Sequence, residues 1–269
     1  MTELLDETLH TDESTNRPGE FRAGKAALVL LLVLLAQVAV GFISVVVGVV
    51  VALVSKQNLN DEKVKALLGH VSGSTLIVSS LATAGVILLL ARAWAWDETR
   101  DRTERGIGLR TARVQDLGIS AILGILLATS YLLVSHFLFP PRAGIPLGPL
   151  TQLAGAHGFD YVAWILLAVI LAPPVEEFLF RGLLLKGFSR SWGVVGGAIA
   201  VTTIFVLMHA FETAYYWPAA VGILALALAT LAVRLHSGSL GPAIALHAAY
   251  NLALVTYASG VLRWPPPAG

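Results

Sequence analysis

The sequence predicts an all-α protein, a polytopic membrane bundle of about seven transmembrane helices. Three observations carry this. The 269 residues are 56% hydrophobic and only 13% charged, against about 25% charged in ordinary soluble domains. The mean hydropathy is +0.77. Long apolar runs recur along the chain, each near the ~20 residues that cross a bilayer core. The net charge of +1 leaves no electrostatic footprint for nucleic acid or for a strongly acidic partner. With no cysteine, disulfides, thiolate metal sites and a cysteine nucleophile are excluded.

Residues 1–22 are polar and acidic and are expected to form a disordered cytoplasmic tail. Their acidic start lacks the basic region of a secretory signal. A single transmembrane domain is expected over 23–265. Its first span, Ala26 to Val54, has only Gln37 and Ser44 as polar interruptions. Lys56 to His70 is a polar connection with room for a short surface helix. The second span, about Val71 to Ala95, ends beside Trp94 and Trp96, which suit the interfacial belt. Six arginines follow between Arg92 and Arg113. The third span, about Leu117 to Phe139, is stopped by Pro140-Pro141. A Gly/Pro-rich loop runs to Gly158. Spans four to seven are then about Tyr161–Lys186, Val194–Phe211, Pro218–Leu235 and Leu240–Leu262. Glycines from Gly193 to Gly197 are expected to let helices pack closely. If the arginine-rich loop is cytoplasmic, alternation puts the tail and the span 4–5 and span 6–7 turns on its side. That side collects twelve Lys/Arg against five opposite, which predicts a cytoplasmic N-terminus in the cell inner membrane.

Span four carries Ala172-Pro173-Pro174-Val175-Glu176-Glu177-Phe178-Leu179-Phe180-Arg181. Each ionised group at membrane depth costs ~2.5–3.5 kcal/mol on insertion scales, so such groups are paired or functional. Glu177 and Arg181 stand at i and i+4 with the acid N-terminal, the arrangement of a helix ion pair. Glu176 points about 100° away and has no local partner. Span five ends Phe205-Val206-Leu207-Met208-His209, and span seven places His247 and Asn251 four apart on one face. Measured from the expected cytoplasmic ends, Glu176, His209, His247 and Asn251 lie about 15, 21, 10 and 16 Å deep. They therefore share one band of the membrane. Pro173-Pro174 free backbone carbonyls one turn before Glu176 and can kink the helix.

Glu176-Glu177-x-x-x-Arg181, Phe205-x-x-x-His209 and His247-x-x-x-Asn251, in that order, resemble the motifs of the CAAX-protease and bacteriocin-processing (CPBP, or Abi) intramembrane proteases. That family includes the type II CAAX prenyl endopeptidases. The run Gly238-Ser239-Leu240-Gly241-Pro242-Ala243 before His247 is similar too. The resemblance covers about 160–255 and implies an intramembrane endopeptidase acting on a peptide or protein substrate within the membrane.

The chemistry can also be argued from the residues. Without cysteine, and with no serine in the constellation, water is the expected nucleophile. Glu176 is placed to take its proton and pass it to the leaving amine, with His209 holding the same water. Asn251 and His247 can donate to the oxyanion, where one donor is typically worth ~10²–10³ in rate. Glu177 and Arg181 hold the helix and set the local field. Zinc is the alternative, since two histidines, a glutamate and water make a good ligand set. Metal-free glutamate catalysis is placed slightly ahead, because no local chelate such as His-Glu-x-x-His is present. Two other classes use the same residue types: a transporter, against which the absence of an inverted repeat counts, and a non-catalytic immunity or scaffold protein.

Overall fold

The computed structural model describes residues 20–54, 73–101, 106–140, 158–258 and 260. In chain order these form α1 (Ala23–Val54), α2 (Gly73–Trp94), the short α3 (Trp96–Arg100) and α4 (Val114–Leu138). An interrupted run follows: α5 (Phe159–Ile165), the π-helix π1 (Leu166–Leu171), α6 (Ala172–Glu177), a second π-helix π2 (Phe178–Leu184) and α7 (Leu185–Met208). The short α8 (Ala210–Tyr215), α9 (Pro218–Ser237) and α10 (Leu240–Ala258) complete it. No strand occurs among the described residues. The expected Lys56–His70 connection and most of the loop before Gly158 lie outside them, as does most of the expected tail. Where that tail is described it is held: Phe21 is buried, and Arg190 Nη1 donates to its carbonyl at 3.3 Å.

Five helical runs are long and apolar enough to cross a membrane, namely Ala23–Val51, Ile77–Trp94, Val114–Leu138, Tyr161–Met208 and Pro218–Ser237. Spans four and five of the sequence reading fall together in the fourth, whose 48 residues would stretch ~72 Å as one helix, over twice a bilayer core. Gly193 divides it, with φ 71° and ψ 168°, a region open in practice only to glycine. The chain folds back there. Phe180 and Phe205, which a straight helix would hold ~37 Å apart, meet edge to face with centroids 5.0 Å apart. A Cβ on Gly197 would collide with Ser189 Oγ. The glycine cluster thus splits its work, Gly193 making the turn and Gly197 the close approach. The seventh expected span, α10, has 19 residues but is diluted by His247, Tyr250 and Asn251.

Around the hairpin, one apolar core joins Val29 and Val33 of α1, Ile87 and Ala91 of α2, Leu183 and Leu184 of π2, Phe205 of α7 and Leu231 of α9. Outward-facing Val38 and Phe42 on α1, Ile122 and Phe137 on α4 and Val195 on α7 are exposed. Such faces belong against lipid tails, where they carry no hydrophobic penalty and helices associate instead through small residues and close backbones. Gly124 is one such point: a Cβ there would overlap the carbonyl oxygen of Leu246 on α10. Gly124→Ala is therefore expected to push α4 off α10 and cost about 1–3 kcal/mol. A thermal unfolding midpoint equal to wild type in detergent would show that the contact relaxes freely.

Polar contacts gather the expected same-side segments at one end of the bundle. Arg190 pairs with Glu98 of α3 and lies 3.4 Å from Glu20. Arg110 donates to the Ser237 carbonyl at the end of α9, Ser239 Oγ donates to Arg110 O at 2.8 Å, and Leu240 N donates to Gly108 O at 2.8 Å. The start of α1, the loop before α4, the first part of α7 and the α9–α10 turn therefore share an end, as alternation of spans requires.

Candidate active site

The site begins with a backbone fault. Pro173 and Pro174 have no N–H, so the ladder cannot continue through them. Just before, the Ala172 N–H bonds to Leu167 O, five residues back. The next bond in that register would run from residue 173 to Ala168 O, and proline cannot make it. Asn251 Nδ2 on α10 donates to that carbonyl instead, at 2.8 Å. One side-chain amide thereby ties α10 to the fault and satisfies a carbonyl that lipid could not.

One turn on, α6 presents the two glutamates. Glu177 is fully buried and Arg181 is 2% exposed; Arg181 Nε lies 3.2 Å from Glu177 Oε2. This is a charge contact without hydrogen-bond geometry, since both atoms lack a hydrogen-bond partner. Arg181 is held besides by donation from Nη2 to Ala227 O at 3.0 Å and by the Phe205 ring, 4.4 Å from its Cζ. Glu177 has a second partner that the i, i+4 reading did not include. His247 Nδ1 is 2.8 Å from Glu177 Oε1. A carboxylate can only accept, so Nδ1 carries the proton and Nε2 faces the other way. Glu177 thus orients His247 as a carboxylate orients the imidazole in a hydrolytic triad.

What Nε2 faces is Glu176, whose Oε2 is 3.9 Å away. Its side chain is 29% exposed, yet Oε2 itself is buried and without a hydrogen-bond partner. His209 terminates α7 with φ −97° and ψ 12°, so it sits at a helix end and not within the span. Its Nδ1 donates to Phe205 O at 2.8 Å. It makes no hydrogen bond or ion pair with Glu176, His247 or Asn251. The link is through Phe205, whose ring is 4.6 Å from the His209 ring and 6.1 Å from that of His247. The expected constellation therefore divides. Glu176, Glu177, Arg181 and His247 form one charged cluster, while Asn251 braces the fault beside it and His209 borders it across an aromatic ring.

The family described as Rce1-like, type II CAAX prenyl endopeptidase, matches residues 158–253. Residues 158–253 form a Rce1-like domain. No curated protein and no solved structure matches the chain. The Rce1-like domain begins at the turn before α5 and ends just beyond Asn251, so it contains every residue of the candidate site. Helices α1 to α4 lie outside it and supply core and lipid-facing surface. The match likens residues 158–253 of this membrane-spanning chain to CAAX-type intramembrane proteases.

Among the described residues no group of three or more His, Cys, Asp or Glu side chains is placed to hold a metal ion. His247 and His209 each place Nδ1 on an oxygen acceptor, Glu177 Oε1 and Phe205 O, which leaves Nε2 of each as the remaining ring nitrogen. Sequence reasoning also missed Phe205 as a contributor. It marked the start of a motif, but its ring touches Arg181, His209 and His247 together. The signal available was its place four residues before His209, on the same face of α7.

Proposed function

We propose that the chain is an intramembrane endopeptidase of the CPBP type. It hydrolyses peptide bonds of membrane-associated or prenylated-like peptide substrates with water activated by Glu176. The basic end of the bundle would face the cytoplasm of the inner membrane, with the N-terminus on that side. The observation that carries the mechanism is the partnerless Glu176 Oε2, facing His247 Nε2 across 3.9 Å. The Glu176 side chain as a whole is 29% exposed, which gives water a way to the carboxylate.

In the proposed reaction Glu176 takes a proton from this water as its oxygen attacks the substrate carbonyl carbon. The carbonyl π-electrons move to oxygen, and His247, protonated on both nitrogens, donates Nε2–H to it. The second N–H of Asn251 Nδ2, beyond the one given to Ala168, is the other oxyanion donor. His209, with Nδ1–H bound to Phe205 O, presents Nε2 as an acceptor at the edge of the site. Collapse expels the amine, which receives the proton stored on Glu176.

Purified protein in lipid nanodiscs, offered a panel of membrane-embedded peptides, tests this with and without chelator. Chelator-insensitive cleavage is expected, and no cleavage of any peptide would count against it. Asn251→Ala should retain activity reduced by about 10²–10³. It should also lose about 1–3 kcal/mol of stability, because Ala168 O is left without a donor. Full activity together with unchanged melting would contradict both of its assigned roles.

A further inference from the structure

At the basic end of the bundle lies a cavity of about 310 Å³ whose lining includes Arg181, Lys186, Ser189, Arg234 and His236. No Asp or Glu lines it. Glu176, His209 and His247 do not line it either, so it is not the hydrolytic centre. Among the described residues seven buried side-chain N or O atoms lack a hydrogen-bond partner, and four belong to this lining: Arg181 Nε and Nη1, Ser189 Oγ and Arg234 Nε. All four can donate. Arg181 Nε has the Glu177 carboxylate 3.2 Å away as a charge partner. The other three lack a hydrogen-bond partner, and since one such unsatisfied donor typically costs ~1–3 kcal/mol, more when it is charged, they call for a ligand that brings acceptor oxygens.

The backbone is shaped to hold these groups. Gly108, at φ 93°, lets the Arg234 guanidinium lie against the loop before α4, where a Cβ would be 2.6 Å from Cζ. Gly238, at φ 64°, ends α9 against the guanidinium of Arg110 in the same way. Arg181 and Ser189, eight residues apart on the helical run before Gly193, line the same cavity. We infer that this cavity binds a phosphate-type oxyanion, held by Arg181, Arg234 and Ser189. Arginine forks match the several oxygens of a tetrahedral anion. The cavity is lined in part by Arg234, Leu235 and His236 from the last turn of α9 and by Gly238 just after it, and basic pockets between helix ends take lipid phosphates. The same oxygens are offered by free phosphate.

The test is binding to the full-length protein, independent of hydrolysis. Unfolding is followed by tryptophan fluorescence in two arms: detergent-solubilised protein titrated with inorganic phosphate against chloride at matched ionic strength, and nanodiscs of phosphatidylcholine with increasing phosphatidic acid. Saturable stabilisation is expected in at least one arm. A response to phosphatidic acid alone assigns the site to a lipid headgroup, and a response to inorganic phosphate assigns it to the soluble ion. Arg234→Gln should raise the half-saturating concentration roughly tenfold or more, and Ser189→Ala roughly threefold to tenfold. Ser189→Ala, which removes one hydroxyl, decides the matter should Arg234→Gln not fold. Absence of saturable stabilisation in both arms, or an unchanged half-saturation in Ser189→Ala or in folded Arg234→Gln, would overturn the assignment.

Discussion

Glu176→Gln is expected to abolish peptide hydrolysis while leaving thermal unfolding within roughly 1 kcal/mol of wild type. The amide preserves shape and hydrogen-bonding capacity but cannot take a proton, and loss of a general base typically costs 10²–10⁴ in rate. The fold has little to lose. Glu176 Oε2 has no hydrogen bond to break, and the side chain is partly open to its surroundings. Neutralising an acid without an arginine partner also lowers the cost of keeping it in lipid. A polar network with only a packing role would accept the amide without effect. Turnover near wild type in Glu176→Gln would therefore remove the proposed mechanism, whereas misfolding would show that the carboxylate is structural.

The second large effect is on stability. Glu177→Ala is expected to cost about 3–5 kcal/mol, the range found when one partner of a buried ion pair is removed, and to be the more damaging of the two changes in its pair. Glu177 answers two groups, Arg181 at 3.2 Å and His247 at 2.8 Å, so its loss strands a buried guanidinium and leaves Nδ1–H without an acceptor. Arg181→Ala still leaves Glu177 with His247. In a double-mutant cycle the Glu177→Ala, Arg181→Ala protein should melt well above the sum of the single losses, because no unpaired charge of that pair remains. Additive losses, or single variants as stable as wild type, would contradict the pairing. Arg181→Ala should also weaken the phosphate response described above, and Glu177→Ala should impair hydrolysis by releasing the His247 ring.

Much of this was legible in the sequence, for identifiable reasons. Membrane spans follow from length and hydropathy, which need no tertiary knowledge. The Glu177–Arg181 pair follows from helix spacing alone. The bond between Glu177 and His247 did not follow, because the segment that carries Glu177 is flanked by π1 and π2, and a 3.6-residue period does not anticipate those wider turns. The prolines announced free carbonyls but not that Asn251 would take Ala168 O, a contact set by how α10 lies against π1. His209 was read as intramembrane, and the structure adds that it ends its helix. Gly193 looked like one of several packing glycines; only its positive φ distinguishes it as the turn.

The fully buried Glu177 also bears on how the chain is made. Its partner His247 lies 70 residues later. A ribosome adding about 5–20 residues per second therefore synthesises His247 roughly 4–14 s after Glu177. Until then Glu177 has only Arg181, one turn away on the same nascent segment. The local ion pair is thus an insertion device before it is part of a site, since it lets a segment with buried charges enter the bilayer ahead of the helix that completes them. Moving the arginine to another span would keep the final charge balance and lose this protection during synthesis.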